Sequence, residues 1–256
     1  MTATHGRCLL ALICAGLVAL RAQALEVRVC IPSNPFPPLT FADHEGQGQW
    51  LARKAIEAQG GTVSFESVPW PRCLKGVLAG EYDAAMPPTA ARADVVALPM
   101  RDDSTVDEAK AVGDAPMVVV RRIGSKAGWD GKRFNDLSTP VMFNRAIGVI
   151  RDKLVLLGVP ADEGAQQNDA LLQKLVRGRG ELLVLNAAAA QAELANGDYA
   201  GKLEILPEPF IVITGHLGFN KAFYAANRGF ADAVWNQIAR LRLSADFRNL
   251  APHLAK

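Results

Sequence analysis

The chain has 256 residues, 50% of them hydrophobic, with 28 Lys and Arg against 26 Asp and Glu. That apolar fraction excludes a disordered chain, and the near-neutral balance excludes the strongly basic surface of a nucleic-acid binder. The length suffices for one large domain or two medium ones with their own cores.

Residues 1–24 have the layout of a secretory signal. His5 and Arg7 form a basic head, residues 8–20 an apolar core, and Ala22-Gln23-Ala24 a small-x-small cleavage site. The core is shorter than the roughly 20 residues a helix needs to span a bilayer. Arg7 and Arg21 fall in this segment without an acid, so the chain from Leu25 onward is neutral. Export implies a periplasmic, oxidising setting, where Cys30 and Cys73 remain as an even pair. A disulfide between them would close a loop of roughly 44 residues, worth about 4 kcal/mol in the chain-entropy account. The alternative is two buried thiols.

Val27-Arg28-Val29-Cys30-Ile31 reads as a buried strand ending at Pro32, and the proline-rich loop 33–38 can be neither helix nor central strand. A short extended piece at 39–41 and a turn at 43–46 follow. Trp50, Leu51, Ala55, Ile56 and Ala58 give residues 49–59 a helical stripe, stopped by Gly60-Gly61. Residues 62–68 alternate as a strand, Pro71 opens a helix that Gly80 closes, and residues 82–86 form a third strand. This order is that of a parallel, right-handed α/β unit. A second unit has strands at 115–122, 146–150, 181–185 and 203–206, with helices at 169–177 and 187–195. Extended segments at 210–214 and 217–219 lead into one long helical pattern over 221–243. No linker or repeat separates the units, which predicts more than one crossing of the chain between them.

Chemistry-bearing motifs are scarce. There is no nucleophile elbow, phosphate loop, paired-histidine zinc motif or dinucleotide fingerprint, so neither cofactor nor metal is expected. Asp43-His44-Glu45 falls on a solvated turn, and His216, between Gly215 and Leu217, reads as a structural histidine.

Residues 70–100 read WPRCLKGVLAGEYDAAMPPTAARADVVALPM. The order and spacing of Trp70, the helix end at 78–80, Tyr82-Asp83, Thr89 with Arg92, and Pro99 resemble the family 3 extracellular solute-binding proteins, the periplasmic receptors of polar amino-acid ABC transporters. The aromatic-x-Pro step at Phe36-Pro37-Pro38, the Ile147-Gly148-Val149 stretch and the strand-then-helix at 181–194 fit the same pattern. The resemblance implies the type II periplasmic binding protein fold: two α/β lobes joined by two hinge strands, with a ligand clamped between. Residues 25–114 plus 215–256 would form lobe 1 and residues 115–214 lobe 2. It further implies a small-molecule ligand, a membrane permease as partner and a monomeric receptor, with no chemistry done on the ligand.

By the same resemblance, Arg92 would grip a ligand carboxylate with its two-pronged guanidinium, with Thr89 beside it. Phe36 and Trp70 would line the wall. Departures from the family pattern alter the expected ligand. Pro87 and Pro88 replace backbone donors, Arg151-Asp152-Lys153 stands where a Gly-Ser/Thr helix start is usual, and Asn186 stands where an ammonium-binding acid is usual, though it is also a good N-cap for the following helix. Arg92 and Arg151 together would favour an anionic or less amine-dependent ligand. Three alternatives stay open: a dehydratase on the same fold, a sensor or a partner of a periplasmic quinoprotein dehydrogenase, and a descendant that has lost its ligand.

Overall fold

The computed structural model describes residues 24–165, 167–195 and 197–254. The signal expected over residues 1–24 lies outside the described residues except for Ala24.

The first sheet is built on β1 (Glu26–Pro32), β2 (Thr62–Val68) and β3 (Ala84–Ala85). β1 runs parallel to both neighbours, Val27 opposite Val63 and Val29 opposite Ala84. Val27, Val29 and Ile31 are buried while Glu26 and Arg28 face solvent, the period-2 alternation of its sequence. The crossovers are α1 (Gln47–Glu57) and α2 (Trp70–Ala79). α1 buries Leu51, Ala52, Ala55 and Ile56, its i, i+4 stripe. Its entry is held by Gln49, whose Oε1 accepts the amides of Gly46 and Phe41, each at 2.9 Å. α2 has Pro71 in its first turn and ends at Gly80, whose φ of 78° is a left-handed conformation that glycine adopts freely. Cys30 and Cys73 are joined as a disulfide that ties α2 to β1, their Cα atoms 5.5 Å apart. β3 is shorter than the strand expected over 82–86, because Pro87 and Pro88 cannot extend the ladder.

The second sheet contains β4 (Gly113–Arg122), with β5 (Gly128–Trp129) and β6 (Phe134–Asn135) forming a separate ribbon beside it. It continues with β7 (Val141–Phe143), β8 (Ala161–Asp162), β9 (Leu182–Asn186) and β10 (Leu203–Gly215), in the order β10-β4-β9-β7-β8. Its helices are α3 (Gly148–Leu156), α4 (Asn168–Val176) and α5 (Ala187–Ala195). Here the strand expected at 146–150 is corrected. The strand is β7, whose three residues are fully buried between β8 and β9, and Gly148 already begins α3. A five-residue apolar run does not by itself distinguish strand from helix. The burial of Ile150 and Leu154, four apart, shows the helical phase. The two extended pieces expected at 203–206 and 210–214 are one bent strand, β10, whose pairing with β4 shifts around Pro209.

β11 (Gly218–Phe219) returns to the first sheet, antiparallel to β3. The long helix expected over 221–243 is two, α6 (Lys221–Ala226) and α7 (Arg228–Arg242), followed by α8 (Ala245–Leu250). They break at Asn227, whose backbone leaves the helical region and whose Nδ2 donates to the Phe223 carbonyl at 3.0 Å. Trp235 of α7 anchors the first core, 2% exposed, its Nε1 donating to the Leu217 carbonyl at 2.8 Å.

The chain thus crosses between two lobes twice, near residues 111–113 and 215–217, where Gly113 pairs with Gly215. Both glycines serve close packing. A Cβ on Gly113 would stand 2.6 Å from Leu39 Cδ2, and one on Gly215 would stand 2.6 Å from Pro87 Cβ. Leu39, carried by the first lobe, is fully buried among residues of the second-lobe core.

Candidate functional site

The carboxyl ends of β1, β2, β3 and β7 converge on a cavity of about 140 Å3 between the lobes. This is where open α/β sheets hold ligands. An engineered apolar cavity of about 150 Å3 admits benzene, which sets the scale of a guest here.

The first-lobe wall comes from three segments. Asn34 and Phe36 belong to the loop after β1. Phe36 is fixed by reciprocal backbone bonds with Thr40, at 2.9 and 3.1 Å. Trp70 occupies the first turn of α2, one turn ahead of the disulfide at Cys73. After β3 come Pro87, Thr89 and Arg92, the last ending a short 3-10 turn whose amide donates to the Thr89 carbonyl at 2.9 Å. The Arg92 side chain is exposed, and among the described residues it makes no hydrogen bond or ion pair. Its donors are available to a guest.

The second-lobe wall is the start of α3. Asn144 lines the cavity, and its Oδ1 accepts the Ala146 amide at 3.0 Å, shaping the turn into the helix. Gly148, Val149 and Asp152 follow on one side of α3, and Ile213 of β10 closes the floor. Helical phase sorts the neighbours: Ile150 and Leu154 point into the core, and Arg151 turns away from the cavity. The Arg151 guanidinium is instead clasped by both carboxylate oxygens of Glu163, which holds the Glu163 carboxyl below its ordinary pKa. Lys153 is also engaged elsewhere. Its Nζ donates to the Phe210 carbonyl and lies 4.8 Å from the Phe210 ring centroid and 5.5 Å from that of Trp129. Burial lowers its pKa.

Asn186, at the end of β9, is 5% exposed and does not line the cavity. Its Oδ1 accepts the Ala189 amide at 3.1 Å, which caps α5, and its Nδ2 donates to the Pro37 carbonyl of the first lobe at 2.6 Å. The structure therefore brings Phe36, Trp70, Thr89 and Arg92 onto one cavity and places Arg151 and Asn186 off it. The misread strand at 146–150 explains the first displacement: as a loop residue Arg151 could turn inward, but as the fourth residue of a helix it cannot. Asn34 and Asn144 are polar lining residues that sequence reasoning missed, and Asp152, which it named only as a cleft acid for the dehydratase alternative, lines the cavity as well. A helical reading from Gly148 would have placed Asp152 one turn along the same face.

No protein-family model and no curated protein sequence matches the chain. Solved structures do. The GluR0 ligand-binding core of Nostoc punctiforme, in complex with L-glutamate, superposes with a TM-score of 0.65 at 14% identity, over 89% of this chain and 98% of that one. An amino-acid ABC transporter substrate-binding protein of Streptococcus pneumoniae, bound to L-arginine, gives 0.63 at 18% identity, over 90% and 94%. An ancestral amino-acid-binding protein, a precursor of cyclohexadienyl dehydratase, gives 0.64 at 16% identity, over 90% and 96%. The chain has the two-lobe fold of these proteins; at such identities the likeness extends to the fold alone.

Proposed function

We propose that this protein is a periplasmic receptor that captures a small carboxylate-bearing solute between its lobes and delivers it to the permease of an ABC transporter. It acts as a monomer, leaves the solute unchanged and needs no cofactor. Its lobes are residues 25–114 with 215–256, and residues 115–214.

The observation that carries this reading is the exposed, uncommitted guanidinium of Arg92 at a cavity shared by both lobes. A carboxylate accepts two parallel N–H bonds from such a group. The opposite wall supports the same chemistry, since Gly148 and Val149 open the nine-residue α3 and its first amides have no partner within the helix. Phe36 and Trp70 supply apolar surface for the body of the solute. A guest held by Arg92 on one lobe and α3 on the other bonds better to closed lobes than to open ones. That differential contact is what drives closure about the two crossings.

A thermal-shift screen of the purified mature chain against the twenty amino acids and a set of mono- and dicarboxylates tests this. At 100 times its dissociation constant a guest adds about 2.7 kcal/mol of stability, an easily read shift. Arg92→Ala should abolish the shift while leaving the unliganded melting temperature unchanged. A panel without any responder, or a responder indifferent to Arg92→Ala, refutes the reading.

A further inference from the structure

Among the described residues, one acid lines the cavity. Asp152 lies on the second turn of α3, four residues after Gly148, on the side that faces the cavity. Its side chain is exposed and makes no hydrogen bond or ion pair among the described residues. The cations beside it in sequence are committed elsewhere, Arg151 to Glu163 and Lys153 to the Phe210 carbonyl. The cavity thus presents one uncommitted guanidinium from the first lobe and one uncommitted carboxylate from the second.

Resting on the receptor reading above, we propose that Asp152 is a specificity-determining residue that receives a cationic group of the solute, an ammonium or amidinium, on the second-lobe side of the cavity. Asn186 cannot do this. Its oxygen caps α5, its amide nitrogen is spent on Pro37, and the side chain is buried away from the guest. The carboxylate also works by exclusion. A second negative charge on the guest would face the Asp152 carboxylate, so dianions are disfavoured where the clasped Arg151 would otherwise have attracted them. The guest therefore carries one negative and one positive end, about one cavity width apart, with a small apolar body between.

Calorimetry with paired probes that differ only in the ammonium decides this: L-alanine and pyruvate, L-phenylalanine and phenylpyruvate, L-glutamate and 2-oxoglutarate. The unaltered protein should bind the amino member of at least one pair more tightly than its oxo partner. Asp152→Asn, an isosteric change at an exposed position, should weaken that amino member about 10- to 100-fold, the range for losing a hydrogen bond to a charged group. The oxo acid should bind as before or better, so the preference within the pair collapses. Preference for oxo acids in the unaltered protein, or an unchanged ratio in Asp152→Asn, overturns the role of Asp152. If the probes then still depend on Arg92, the receptor reading survives without it. If none of the six binds, the role of Asp152 in receiving an ammonium is overturned for these guests, and the receptor reading is decided by the wider thermal-shift panel.

Discussion

His216 shows what a buried titratable group costs at the scale of one residue. It is 1% exposed at the return crossing, its amide donates to the Pro88 carbonyl at 2.9 Å, and neither ring nitrogen has a hydrogen-bond partner among the described residues. Burial pushes its pKa below the usual histidine value, opposed in part by the Asp107 backbone and the Glu108 carboxylate and reinforced by Arg242. The sign follows from proton counting. Between the ordinary histidine value of about 6.5 and the lowered folded value, the unfolded chain binds the extra proton. Stability is therefore full above pH 6.5 and declines as the pH falls below it. Urea titrations from pH 5 to 8 should show that slope, and His216→Leu should flatten it with little loss at pH 8, because the ring makes no bond that leucine would break. An unchanged slope in the variant would assign the acid sensitivity to another group.

At the scale of elements, the loop after β1 is clamped to the second lobe as well as to the first. The Pro37 carbonyl is bonded by Asn186, and Leu39 is packed in the second-lobe core beside Gly113 and Gly215. The cap and the clamp can be separated by substitution. Asn186→Asp keeps an oxygen for the Ala189 amide but has no N–H for Pro37 and sets an acceptor against an acceptor. It should cost about 1–3 kcal/mol in chemical denaturation, the penalty for a buried carbonyl left unpaired. Asn186→Ala loses the cap as well and should cost about 1 kcal/mol beyond an unpaired carbonyl alone. If Asn186→Asp is as stable as the unaltered chain, the contact between lobes contributes nothing.

Over the whole molecule, the disulfide couples stability to the site. Cys30 and Cys73 are fully buried and join β1 to the helix whose first turn carries Trp70. Closing a loop of roughly 44 residues confines the unfolded chain, so replacing both cysteines by alanine should lower the unfolding free energy by about 4 kcal/mol. Equal stability of the oxidised protein and the double variant would mean that the bridge only follows the fold. The two crossings let the first sheet assemble from segments far apart in the chain, with β11 joining β3.

The amino-acid sequence by itself determined the local elements of the first lobe. Alternation in residues 62–68, the stripe of α1, Pro71 and Gly80 at the ends of α2, and the barriers at Pro32 and Pro87 act through neighbours a few positions away. Phe36, Trp70, Thr89 and Arg92 are singled out by the resemblance to the solute-binding family, and the fold brings all four onto one cavity. Only the tertiary structure decided whether residues 146–150 are strand or helix, because that apolar run satisfies either until a sheet accepts β7 in its place. That choice sets the rotation of α3, turning Arg151 outward onto Glu163 and Asp152 toward the cavity. It also decided Asn186, whose two bonds reach one residue three positions along the chain and another 149 away. No local pattern encodes such a contact, because its energy exists only once both lobes are folded.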